Sequence, residues 1–132
     1  MLKHSLCAAL SLIPTPAVAQ FLEHLDPPGQ VIQGVRYQRT PEVDEAGAAL
    51  TECLNSGIAQ GPEGDWGFDQ AIAIVAACAP QVNAYREDWE QVISNLPLSD
   101  DEKFGARLAL GDRIGELAGR VGEVHRRERA ER

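Results

Sequence analysis

The sequence predicts a small all-α domain of three helices, the first two held as an antiparallel hairpin by a disulfide, with an extended N-terminal arm. Three observations carry this reading. Apolar residues recur at intervals of three and four along three separate segments, the spacing of one helix face. The first and third segments open on capping residues. Cys53 and Cys78 fall on the apolar faces of the first two.

Composition sets the outer limits. The chain has 132 residues, 44% hydrophobic and 24% charged, the proportions of an ordinary folded domain rather than a collagen-like or disordered chain. A formal net charge of -8 disfavours nucleic-acid binding driven by phosphate attraction. No apolar run approaches the ~18 residues that a membrane-spanning helix needs.

The chain divides into residues 1–19, 20–39 and 40–132. The first part reads as an export signal. Lys3 gives it a positive start, Leu6 to Ile13 a short apolar stretch, and Ala17-Val18-Ala19 a small-residue cleavage site that leaves Gln20 first. Pro14 and Pro16 argue against an amphipathic helix. Cys7 lacks the small-residue approach of a lipid-attachment site. Cleavage removes Lys3 and no acid, making the remainder one charge more negative, and leaves Cys53 and Cys78 as its only thiols.

In an oxidising compartment that pair reads as a structural disulfide. Neither CxxC nor CxxCH is present, His24 and His125 lie far off in sequence, and a zinc site wants four ligands with close pairs. Two buried free thiols are the alternative.

Residues 20–39 carry no sustained helical period. Asp26-Pro27-Pro28-Gly29 breaks the chain. Val31 to Tyr37 is strand-like, but Gly34 interrupts it and no other segment offers a partner strand, so the stretch reads as an arm lying on the helices or partly mobile.

The first helix is capped by Thr40, with Pro41 at its first position and Glu42, Asp44 and Glu45 at the positive end of its dipole. Val43, Ala46, Leu50, Cys53 and Leu54 form its apolar face, and Gly57 is its expected stop. Gly57 to Gly67 reads as a loop, with Trp66 folded onto the helix pair as a lid and Asp65 placed to cap the second helix. That helix, Phe68 to about Asn95, carries the clearest pattern: Phe68, Ile72, Val75, Cys78 or Ala79, Val82, Tyr85, Trp89, Val92 and Leu96. Pro80 inside it predicts a kink or break near Cys78. With the first helix stopping at Gly57, the two cysteines sit out of step by about 9 Å at ~1.5 Å per residue, which the loop must absorb.

The third helix opens on Ser99-Asp100-Asp101-Glu102, a capping-box pattern, and runs to about Arg126. Leu110, Ile114, Leu117, Val121 and Val124 form its apolar stripe. A second strip holds Gly111, Gly115, Gly119 and Gly122, in line with Phe104 and Leu108. Each helical glycine costs about 1 kcal/mol relative to alanine. The strip therefore reads as a site of close packing, within the monomer or between two copies in a homodimer; a frayed helix is the alternative.

Acids dominate from Glu42 to Glu102, and arginines cluster at Arg120, Arg126, Arg127, Arg129 and Arg132. Helix starts and a helix end account for much of this. The rest is a solvated face or a surface for a charged partner. No acidic group matches an EF-hand. No nucleophile–histidine arrangement and no GxSxG, HExxH, GxxxxGK[ST] or GxGxxG motif is present, and His24 and His125 read as surface residues.

The expected function is a non-enzymatic periplasmic or secreted protein-interaction module with an unidentified protein partner. It needs no cofactor, metal or nucleic acid and has no membrane span. Trp66, Tyr85, Trp89, Gly111, Gly115 and Gly119 are its candidate surface. The alternative is a small-ligand or cation-binding protein, with Trp66, Tyr85 and Trp89 beside a groove lined by acids.

Overall fold

A computed structural model describes residues 21, 25–27 and 30–131. The expected export signal, His24, Pro28, Gly29 and Arg132 lie outside the described residues. The fold is all-α with one two-stranded hairpin. Five helices, α1 (Pro41–Gln60), α2 (Phe68–Ala77), α3 (Ala79–Ser94), α4 (Asp100–Gly115) and α5 (Leu117–Ala130), follow strands β1 (Val31–Ile32) and β2 (Val35–Arg36).

The three helices read from the sequence are all present, two of them bent. Helix two breaks at Cys78, where Pro80 begins α3, as the proline requires. Helix three breaks at Glu116, which the apolar pattern does not announce. The two breaks have one geometric cause. α3 packs on α4 and α2 packs on α5, so a bend in one antiparallel rod must be matched in the other to keep contact. Gly115, beside Glu116, is where the second rod resists least.

Thr40 caps α1, its hydroxyl accepting from the Val43 N–H, and Ser99 and Glu102 form the expected capping box on α4. α1 does not stop at Gly57, however; it continues to Gln60. Gly57 serves packing instead, because a Cβ there would lie 2.7 Å from Cγ2 of Ile74 on α2. The longer helix also halves the expected mismatch between the cysteines. Cys53 is seven residues from the end of α1 and Cys78 ten from the start of α2, an offset of about 4.5 Å at ~1.5 Å per residue. The disulfide forms with Cα atoms 6.0 Å apart and ties α1 to the α2–α3 joint.

The arm supplies its own strand partner. Val31 lies opposite Arg36 and Ile32 opposite Val35, antiparallel. Gly34 is therefore not an interruption but half of a two-residue turn. Gln33 and Gly34 both have positive φ, 49° and 81°, as the tight hairpin turn demands. The turn rests on α4 at Gly105, where a Cβ would come 3.3 Å from Gln33 Nε2. Phe21, Leu25, Ile32 and Tyr37 of the arm are buried in the main core beside Leu50, Leu54, Trp89, Leu110 and Leu117.

The buried line of helix two passes through Cys78 without a change of face, from Ala71 to Val82, Tyr85 and Trp89. Phe68 and Ile72, on its expected apolar face, are 64% and 45% exposed. Ala71 takes the buried place, with Ile74 and Val75 packed at the core edge.

Candidate functional site

The candidate residues fall into three separate places. Tyr85 and Trp89, on α3, are buried, and the cavity of about 190 Å³ that Trp89 borders is lined by apolar residues, Gln33 and Arg113, not by acids. The two aromatics hold the arm. The Tyr85 hydroxyl donates to Asp26 Oδ1 at 2.6 Å, Arg39 pairs with Asp26 and also with Asp44, and the Arg113 guanidinium donates to the Asp26 carbonyl. Trp89 meets the edges of Tyr37 and Tyr85 at ring centroid distances of 5.2 and 6.3 Å. A cation does sit over Trp89, 6.0 Å from its centroid, but it is the chain's own Arg39. Burial pushes the Tyr85 and Tyr37 phenols above their ordinary range, since a phenolate would lose its hydration there.

Trp66 lies elsewhere, at the end of α5. Its ring stacks on His125 with centroids 3.6 Å apart and planes 6° from parallel. Its indole N–H donates to the Pro62 carbonyl at 2.7 Å. A Cβ at Gly61 would lie 2.5 Å from the indole, so that glycine makes room for the lid. His125 is half-buried, not a surface residue, with Nε2 3.0 Å from the Gly64 carbonyl oxygen. Asp65 does not cap α2, whose cap is Gly67; it pairs with Arg129. Part of the arginine cluster thus anchors the chain to itself, Arg129 on the loop and Arg120 and Arg127 on Glu123. Trp66 does not share a groove with Tyr85 and Trp89.

The third place is a face left open to solvent. Gly111, Gly115 and Gly119 are exposed, and a Cβ at any of them would meet nothing within 4 Å. Among the described residues, nothing packs closely on these glycines. In line with them on α4, Phe104 is 61% and Leu108 55% exposed. At the other end, Phe68, Ala71, Ala118, Gly119 and Gly122 border a groove of about 420 Å³, closed by Trp66, His125 and Arg129. The four large exposed apolar side chains among the described residues, Phe68, Ile72, Phe104 and Leu108, all belong to α2 or α4.

No protein-family model, curated protein or solved structure matches this chain.

The exposure of these four side chains escapes sequence reading for a physical reason. Phe68 and Ile72 fit an apolar spacing in helix two, but the buried line runs through Ala71, Cys78, Val82, Tyr85 and Trp89 and leaves both exposed. Leu108, like Phe104, falls on the glycine strip, but periodicity cannot say whether a strip is covered. Among the described residues no helix is long and apolar enough to cross a membrane, and no group of three or more His, Cys, Asp or Glu is placed to hold a metal.

Proposed function

We propose that this protein is a non-enzymatic, exported protein-interaction module whose docking surface is the open face of α4 and α5 with the start of α2. The observation that carries it is Phe104, 61% exposed and aligned with Leu108 and three glycines on which nothing packs among the described residues. Leaving large apolar side chains in water is unfavourable by about 25 cal/mol per Å² of apolar surface. Glycines in a helix add their own cost. A partner that covers the strip offsets both. Exposed apolar patches of this kind mark interaction surfaces in soluble proteins.

The N-terminal signal pattern supports export, and the Cys53–Cys78 bond is of the kind that persists in oxidising compartments. A photo-crosslinking residue placed at Phe104 in cells making the full chain tests the reading. The expected result is a covalent adduct to protein, recovered outside the cytoplasm, with no such adduct from the exposed polar position Glu87. Equal labelling at the two positions, or adducts confined to the cytoplasm, overturns it.

A further inference from the structure

We propose that the cavity between the arm and helices α3 and α4 is a binding site for a small aromatic carboxylate, a single ring bearing one negative group. It lies apart from the docking face. At ~3.6 residues per turn, Ala106, Ala109 and Arg113, which border the cavity, fall on the side of α4 away from Phe104 and Leu108. One wall is the arm, with Leu25, Val31 and Ile32; the other is helical, with Trp89, Ile93 and Leu110. The Asp26 hub fastens one wall to the other, so a molecule held between them adds to what ties the arm down.

Size and chemistry select the ligand. An apolar cavity of roughly 150 Å³ takes up one benzene ring. The volume here, about 190 Å³, accommodates a ring and one small substituent. Apolar walls with a few placed polar groups are the build of small-molecule sites. Two residues supply the polarity, the Gln33 amide and the Arg113 guanidinium, and no acid lines the cavity among the described residues. The charge it presents is therefore positive. A guanidinium matches the geometry of a carboxylate, and its five N–H donors let Arg113 hold the Asp26 carbonyl and a ligand together.

The backbone of the arm wall points the same way. Gln30 and Gln33, on either side of β1, are the two non-glycine residues with positive φ among the described residues, 54° and 49°. Glycine or asparagine takes such positions at lower cost. Glycine at 33 makes the same turn but brings no amide to the cavity. Strain of this kind gathers at ligand clamps, and here it brackets Val31 and Ile32, which form the wall.

Trp66→Phe leaves Trp89, in the cavity wall, as the sole tryptophan of the chain. Titrating that protein, purified with its disulfide intact, with sodium benzoate is expected to give a saturable change in fluorescence and a higher melting temperature. Benzyl alcohol, with the ring but no charge, binds about tenfold more weakly, the difference a charge-assisted hydrogen bond makes. Benzylammonium and acetate give no saturable change. Arg113→Gln brings benzoate down to the level of benzyl alcohol and leaves benzyl alcohol unchanged, which shows the cavity intact. Ala106→Leu fills the cavity and removes both responses, with far-ultraviolet circular dichroism to check its fold. Ala109 also borders the cavity and is exposed, so Ala109→Leu obstructs it without burying new bulk in the core. The proposal is overturned by the absence of saturation with benzoate, by benzylammonium binding as well as benzoate, or by full benzoate affinity in Arg113→Gln. A response unchanged in both leucine variants overturns it too.

Discussion

Glycine shows how much the surroundings of a single residue decide. Gly57 and Gly111 both lie inside helices, and by intrinsic propensity alanine is better at each by up to ~1 kcal/mol. At Gly111 the new methyl group meets nothing, so Gly111→Ala is expected to raise stability by roughly 0.5–1 kcal/mol at concentrations where the protein is monomeric. At Gly57 the methyl group lands on Cγ2 of Ile74, a branched side chain with little freedom to yield. Gly57→Ala is expected to lower stability by about 1–2 kcal/mol despite its better propensity. Urea unfolding of the two variants side by side reads both signs; equal shifts would mean that Ile74 moves aside without cost.

At the scale of elements, the arm is fastened by a polar hub inside an aromatic cluster. Asp26 receives Tyr85, Arg39 and Arg113, and Tyr37 packs on Trp89. The chain's two tyrosines both sit here, and burial raises both phenols. In the unfolded chain a phenol releases its proton near pH ~10, while in the folded protein it holds that proton to higher pH. The folded state therefore binds more protons above pH ~10, and stability falls as pH climbs from there through the folded values. Thermal unfolding across the alkaline range is expected to show this loss, with Tyr85→Phe weakening the dependence and costing about 1.5 kcal/mol at neutral pH through the lost bond to Asp26. Ultraviolet titration showing both phenols ionising at their ordinary value in folded protein would refute it. The hub is out of reach of the sequence. Tyr85 and Trp89 are legible as members of a helical face, but Asp26 is 59 residues from Tyr85 and nothing local ties them.

For the molecule as a whole, one covalent bond joins the first helix to the bend of the second. Closing a ~25-residue loop is worth on the order of 3 kcal/mol by chain entropy, against a total of about 5–15 kcal/mol for a domain of this size. Reduction is expected to lower the melting temperature markedly and the urea midpoint with it; an unchanged melting curve in excess reductant would show that the bond adds no stability. The bond also holds α1 against the joint where α2 turns into α3.

The sequence by itself determined the helical class, the caps at Thr40 and Ser99, the break near Cys78 and the pairing of the two cysteines. These depend on nearest neighbours along the chain or, for the cysteines beyond the expected cleavage site, on there being one partner to choose. Tertiary structure alone decided the rest: that α1 runs past Gly57, that the arm folds back at Gln33-Gly34, that a second bend at Glu116 answers the first, and that the glycine strip faces water. Periodicity records which side chains share a face, but burial depends on what lies opposite, and that is fixed only when distant segments meet.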